Sequence, residues 1–176
     1  MQKRKIELRD IVIIGMLSAI CVIATTIKIP YGHGAMVHLG TAAIFTIGLV
    51  FGGVYAGLAA AIGTAFFDLM LGFSPYTIWS FFIKGTAGFV VGTAAKGLWP
   101  ENVVSKQAVL RGIIGMFLAA SCTLAGYIIA WWQVSGSIVV AIGNIPSSII
   151  SSGVGFVVAS IISPKLRQVL KNNRLI

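Results

Sequence analysis

Asp68 and Lys84 are the residues of this sequence best placed to do chemistry. They are the only charged residues between Lys28 and Lys96, and each interrupts an apolar segment. Ionisable side chains at membrane depth usually face a bundle interior or a polar cavity and mark the path of a substrate or an ion. The two residues could therefore bind a ligand, form an ion pair or act as an ion relay, or Lys84 could extend to the membrane surface.

Other polar and aromatic residues gather at one predicted end of the apolar segments. Tryptophan and tyrosine there could form the belt that anchors helices at the lipid headgroups, and Asn144 could satisfy a carbonyl left unpaired by Pro146. Together with Lys84, however, they favour a pocket for a small heterocyclic ligand, in which stacking supplies area and polar groups fix orientation. The predicted substrate-binding residues are His38, Asp68, Tyr76, Trp79, Lys84, Trp131, Trp132 and Asn144.

The composition predicts that lipid surrounds the elements that carry these residues. The chain is 57% hydrophobic and only 10% charged, with a mean hydropathy of +0.97. Because a membrane-spanning helix needs about 20 apolar residues, we expect an all-α bundle of six transmembrane helices in a single domain, 1–176. The predicted helices cover residues 11–27, 39–50, 54–71, 77–95, 108–131 and 138–162, and the second is short for a full crossing.

The net charge of +9 is explained by topology rather than by nucleic-acid binding. Most basic residues fall in three blocks, which precede the first helix, flank the middle loop and follow the last helix. If these blocks share one side, the positive-inside rule puts both termini and the middle loop in the cytoplasm. We expect the protein in the plasma membrane. The blocks are Lys3, Arg4, Lys5 and Arg9; Lys96, Lys106 and Arg111; and Lys165, Arg167, Lys171 and Arg174.

No catalytic or cofactor-binding motif accompanies these features in the sequence. It has no His-Glu-x-x-His, no Gly-x-Ser-x-Gly and no Gly-rich phosphate loop, which disfavours an intramembrane enzyme. Cys21 and Cys122 lack neighbours at metal-ligand spacing, so we predict no metal and no cofactor. A stand-alone ion-coupled secondary transporter or channel stays open, because Asp68 and Lys84 could relay ions.

Gly15 and Ala19 lie four residues apart in the first predicted helix and share one of its faces. Small residues at this spacing let helix backbones approach closely in lipid. The face could pack inside the bundle or against a helix of a partner protein.

Several short motifs follow one another along the chain. They are Val37-His38-Leu39-Gly40, Phe51-Gly52-Gly53, Asp68, and Ile83-Lys84-Gly85 followed by Gly88 and Gly92. Their order resembles that of the substrate-binding S components of energy-coupling factor (ECF) vitamin transporters. The similarity extends over about residues 9–164 and favours the branch that includes hydroxymethylpyrimidine, pyridoxine and riboflavin S components.

This resemblance implies a binding subunit that captures a vitamin at its external side without hydrolysing ATP. It implies docking on a transmembrane coupling protein, the T component, which carries two ATPase subunits. Gly15 and Ala19 match the helix-1 pattern that contacts the coupling protein in the family. The loop with Tyr31 and His33 corresponds to a lid over the pocket.

Two departures from the branch bear on the ligand. We expect an Asp after His-Leu-Gly and a Glu shortly after Lys-Gly, whereas this chain has Thr41 and Ala87. The loss of two acidic groups disfavours a strongly cationic ligand such as thiamine and leaves an aromatic, largely uncharged vitamin or precursor, with pyridoxine or hydroxymethylpyrimidine as the best candidates. An unpaired Lys84 would favour an acidic or phenolic group on that ligand.

Overall fold

The computed structural model describes residues 7–31, 35–96 and 106–172, and it consists almost entirely of helices. A two-stranded antiparallel hairpin, in which Lys28 pairs with His38, joins the first two helices. The elements are α1 (Leu8–Thr26), β1 (Lys28–Tyr31), β2 (Ala35–His38), α2 (Gly40–Phe51), α3 (Gly53–Met70), a 3₁₀ turn (Ser74–Tyr76), α4 (Thr77–Lys96), α5 (Lys106–Ser135), α6 (Ile138–Gly143) and α7 (Ile145–Asn172).

The predicted fold class, an all-α membrane bundle, is confirmed. Five segments of the described chain are long and apolar enough to cross a membrane, namely Leu8–Thr26, Gly53–Met70, Ser74–Ala95, Lys106–Ser135 and Ile138–Asn172. The sixth apolar helix, α2, has only 12 residues, most of them buried. It contacts α1, α3, α4 and α7, so protein shelters this short helix from lipid on several sides.

Two local predictions differ from the structure. The connection after α1, predicted as a loop, contains the hairpin, whose backbone groups pair between β1 and β2. The last predicted helix is divided at Asn144 into α6 and α7. Pro146 is the second residue of α7, where its missing N–H costs no helical hydrogen bond, so the chain can start a new helix there.

Glycines bring α3 and α4 into close contact along much of their length. A methyl group added at Gly88 would lie 2.7 Å from the carbonyl carbon of Ala56, and one at Gly85 would lie 3.0 Å from the Cβ of Ala61. The backbones therefore nearly touch, as expected for helix association in lipid, where small residues permit tight packing. This contact fixes α3, which carries Asp68, against α4, which carries Lys84.

We expect Gly88→Ala to destabilise the bundle by roughly 1–3 kcal/mol, because the added methyl group would overlap the Ala56 backbone. The matched control is Gly153→Ala in α7, where a new Cβ would meet no atom within 4 Å. Thermal unfolding of the detergent-purified variants measures the difference. Equal melting temperatures for the two variants would contradict the packing described here.

Candidate ligand-binding site

A cavity lies at the end of the bundle where the hairpin joins α1 to α2. The space outside the protein atoms is about 610 Å³, a figure that includes open solvent at the mouth. Its walls come from the hairpin and from α1, α2, α3, α4, α5 and α7. The lining residues are Thr25, Ala35, Met36, His38, Thr41, Thr64, Phe67, Asp68, Phe73, Tyr76, Ser80, Lys84, Tyr127, Trp131, Ser147, Ser148, Ser151 and Ser152.

Lys84 places a buried ammonium group in the wall of this cavity. Its side chain is only 3% exposed, and its Nζ donates a hydrogen bond of 3.2 Å to Thr41 Oγ1. The same Nζ lies 5.3 Å from the centre of the Tyr127 ring, within the range of a cation–π contact. An ammonium has three N–H donors, so these contacts leave capacity for a further acceptor.

Asp68 contributes a carboxyl group of opposite charge from α3. It is 5% exposed, and its Oδ2 atom has no hydrogen-bond partner among the described residues. Within the same part of the chain, no salt bridge joins it to Lys84. A buried polar atom without a partner costs free energy, so a donor placed in the cavity beside Oδ2 would be stabilising.

Aromatic side chains form one wall of the cavity. The rings of Tyr127 and Trp131 lie 5.5 Å apart at 34°, and they pack with Tyr76 and Ala35. The Tyr127 hydroxyl and Ser80 Oγ are 2.8 Å apart and share a hydrogen bond. This wall offers apolar ring surface on which an aromatic ligand could stack.

The hairpin closes part of the cavity and is held on two sides. The backbone N–H of His38 donates to Ser151 Oγ of α7 at 3.2 Å. On the opposite side, Lys28 Nζ lies 4.8 Å from the Phe67 ring centre and 4.7 Å from that of Phe73. Since both phenylalanines line the cavity, the hairpin contacts the ligand site directly.

His38 is held in one neutral tautomer. Its Nδ1 accepts a 3.0 Å hydrogen bond from the backbone N–H of Gly40, so in the neutral ring the proton lies on Nε2. Burial, followed by the positive charges of Lys84 and Lys28, lowers the pKa of His38 from 6.5 to about 3. His38 is therefore uncharged at neutral pH.

The structure brings most of the predicted site residues together. His38, Asp68, Tyr76, Lys84 and Trp131 all line the cavity. Asn144 is buried at the junction of α6 and α7, where its backbone carbonyl oxygen accepts a hydrogen bond from the Ser147 hydroxyl. Asn144 thus lies next to the lining without belonging to it.

Trp79 and Trp132, which were also predicted to bind the ligand, do not line this cavity. Trp79 borders a separate groove with Phe82 and Cys122, and Trp132 is 48% exposed on the outer surface. Successive helical residues point about 100° apart, so Trp131 faces the cavity while Trp132 faces outward. Tyr31 is half-buried at the end of β1, and His33 lies outside the described residues.

The cavity also contains residues that the sequence interpretation did not identify. Four serines of α7 line it, at positions 147, 148, 151 and 152. Two serine pairs four residues apart place their hydroxyls on one helix face. This spacing, visible in the sequence, could have indicated a polar face of α7. Tyr127 carried no comparable signal, because one tyrosine in an apolar helix resembles an ordinary interfacial residue.

Nothing in the described residues points to a metal centre. They contain no group of three or more His, Cys, Asp and Glu side chains that could hold an ion. The chemistry available in the cavity is hydrogen bonding, charge pairing and stacking, which suits reversible binding of a small aromatic molecule.

Comparison with known proteins places this geometry in context. The family model described as ECF-type riboflavin transporter, S component, matches residues 5–168. A protein of Pyrococcus woesei, described as an uncharacterized protein in the gap 3′ region, is 29% identical over 142 residues, which are 80% of this chain and 93% of the relative. The solved structure of the S component of a bacterial ECF transporter has a TM-score of 0.67 and 19% identity, and the match covers 93% of this chain and 98% of that one.

We expect the protein to lose stability as the pH falls below about 6.5, in part because unfolded His38 takes up a proton that the folded form excludes. The stabilisation is complete above the unfolded pKa of 6.5 and is lost progressively toward the folded pKa of about 3. His38→Asn should flatten this dependence, since its amide oxygen can accept the Gly40 N–H without titrating. Melting temperatures across pH check this, and parallel profiles for the two proteins would contradict it.

Proposed function

This chain belongs to the family of ECF-type riboflavin transporter S components, and we propose that its cavity captures a small aromatic vitamin or vitamin precursor. As a member of that family it is a substrate-binding subunit of an ECF transporter. The single observation that carries the proposal is the cavity in which buried Asp68 and Lys84 face a Tyr127–Trp131 wall without pairing with each other. Our best candidates for the ligand are pyridoxine and hydroxymethylpyrimidine.

The lining chemistry supports a one-ring heterocycle with several polar substituents. The aromatic wall provides stacking area, while hydroxyl groups from Thr41, Ser80 and the α7 serines surround it. Hydroxymethyl and amino substituents can exchange hydrogen bonds with such hydroxyls at many positions. Ser147, Ser148, Ser151 and Ser152 line the side formed by α7.

Riboflavin is the second candidate, and the name of the matching family favours it. A flavin has three fused rings and a sugar-alcohol chain, so it needs more of the roughly 610 Å³ than a single ring does. Binding experiments with both classes of ligand separate the two candidates.

A stand-alone ion-coupled transporter is the alternative from another class. Asp68 and Lys84 are buried ionisable groups, as such a relay requires. They lie, however, in the wall of one cavity with aromatic and hydroxyl groups, which supports ligand capture. Uptake by this chain alone, driven by an ion gradient and independent of ATP, would favour the alternative.

The S-component assignment also suggests partners and an orientation. We propose that the chain docks on a T component that carries two ATPase subunits in the plasma membrane. The basic residues Lys106 and Arg111 near the start of α5, and Lys165 and Lys171 near the end of α7, support a cytoplasmic position for that end of the bundle. The cavity then opens at the external side.

The first helix offers a surface that the bundle itself does not use. Gly15 and Ala19 are both exposed, and a Cβ added at Gly15 would meet no atom within 4 Å. Of the two interpretations of this small-residue face, the structure therefore supports docking of a partner helix over internal packing.

We expect Trp131→Leu to weaken vitamin binding by roughly 10-fold or more, because it removes a stacking surface from the cavity. Trp132→Leu is the matched control, since its side chain lies on the outer surface. A ligand-induced rise in melting temperature, measured with pyridoxine, hydroxymethylpyrimidine, riboflavin and thiamine, identifies the ligand first. Calorimetric titration then compares the variants.

The two outcomes of that experiment test different statements. No melting shift with any vitamin in the panel would contradict capture of such a ligand. Equal loss of affinity in Trp131→Leu and Trp132→Leu would leave vitamin capture intact but show that the aromatic wall is not the binding surface.

We expect Gly15→Leu and Ala19→Leu to leave vitamin binding unchanged and to abolish ATP-dependent uptake, because a bulky side chain would hold a partner helix away. Gly153→Leu, on the exposed face of α7, is the control for adding the same side chain elsewhere. Uptake of radiolabelled vitamin by cells that contain the complete transporter gives the readout. Normal uptake by both helix-1 variants would contradict this docking surface.

A further inference from the structure

The charges inside the cavity specify more than a general aromatic ligand. Lys84 and Asp68 are at least 95% buried and carry opposite charges, yet they form no salt bridge with each other in the described structure. A buried charge is costly unless an opposite charge or hydrogen bonds compensate it. The described residues supply each of these two groups with only part of that compensation.

The hydrogen bonds present show which chemistry is missing on each side. Lys84 Nζ donates to Thr41 and faces the Tyr127 ring, so it can still donate to an acceptor in the cavity. Asp68 Oδ2 accepts no hydrogen bond from any described residue. A ligand that satisfies both groups must bring an acceptor for Lys84 and a donor for Asp68.

Among the described residues, Lys28 is a further charged group near the cavity, and it already contacts two aromatic rings. Lys28 lies over the rings of Phe67 and Phe73 at 4.8 and 4.7 Å. His38 holds its Nδ1 lone pair toward the Gly40 N–H. Among the described residues of the cavity wall, Asp68 and Lys84 are thus the two oppositely charged groups that can still form hydrogen bonds with a ligand.

We infer that the ligand is a zwitterionic hydroxypyridine, whose protonated ring nitrogen faces Asp68 and whose anionic ring oxygen faces Lys84. This inference rests on the proposed function and narrows its ligand class. Near neutral pH, a 3-hydroxypyridine exchanges between an uncharged form and a zwitterion in which the hydroxyl proton has moved to the ring nitrogen, and in the zwitterion one flat ring presents both charges. The ring itself stacks on the Tyr127–Trp131 wall, and charge-assisted hydrogen bonds at both ends fix its orientation.

A neutral aminopyrimidine complements the same two residues less completely. Its amino group can donate to Asp68 and a ring nitrogen can accept from Lys84, but neither protein charge meets an opposite charge. The structure therefore favours the hydroxypyridine, and pyridoxine is the available probe that contains this ring.

The test combines changes in the protein with changes in the probe. Calorimetric titration compares pyridoxine with two analogues, one with hydrogen in place of the ring hydroxyl and one methylated on the ring nitrogen. In the unmodified protein, each analogue should bind roughly 10- to 100-fold more weakly than pyridoxine. The N-methyl analogue keeps both charges and loses only the N–H donor, whereas the analogue without the ring hydroxyl loses the anionic oxygen and, because its ring nitrogen is then mostly unprotonated near neutral pH, most of the N–H donor as well.

The variants assign each ligand atom to its protein partner. Lys84→Met should weaken the preference for the ring hydroxyl while keeping the preference for the unmethylated nitrogen. Asp68→Asn should have the reverse effect, and Cys122→Ser, at an exposed position outside the cavity, should keep both preferences. Comparing each protein variant with each ligand analogue isolates the interaction between one side chain and one ligand atom from a general loss of affinity.

The outcomes separate this inference from the function on which it rests. Binding of pyridoxine with preferences that neither variant alters would overturn the proposed orientation. Binding of riboflavin or hydroxymethylpyrimidine but not pyridoxine would overturn the hydroxypyridine and keep vitamin capture. If no vitamin bound to the folded, unmodified protein, the proposed function itself would fail.

Discussion

The structure depends on keeping the Lys84 ammonium group inside a helix bundle that lipid surrounds. At 3% exposure, the group cannot rely on water, and lipid offers it no hydrogen bonds. Thr41 and the Tyr127 ring supply part of its compensation, from α2 and α5. The short helix α2 and the polar cavity beside it can both be understood as the local environment that this one charge requires.

Tight packing of α3 on α4 makes that environment possible. The glycines at this contact let the two backbones approach so closely that a methyl group at Gly88 would overlap Ala56. The two helices then act as one rigid unit that carries Asp68 on one member and Lys84 on the other. Large side chains at this contact would separate the charges and change the shape of the cavity.

Much of this arrangement could be predicted from the sequence. Charged residues in apolar segments are rare enough to single out Asp68 and Lys84, and long apolar runs mark the helices. The side to which each tryptophan points depends on the rotation of α5 about its axis. The sequence alone therefore could not show that Trp131 faces the cavity and Trp132 faces outward. The hairpin was missed because its strands, Lys28–Tyr31 and Ala35–His38, are only four residues long and contain Pro30, which weakens a strand signal.

The contact of Lys28 with Phe67 and Phe73 has a thermodynamic consequence. These two rings belong to the cavity wall and also hold the hairpin, so hairpin position and cavity occupancy share the same atoms. By linkage, the factor by which ligand binding favours this hairpin position equals the factor by which this hairpin position raises the affinity for the ligand. If ligand binding favours the hairpin in this position, a force that moves the hairpin away from the two rings lowers affinity without contacting the ligand.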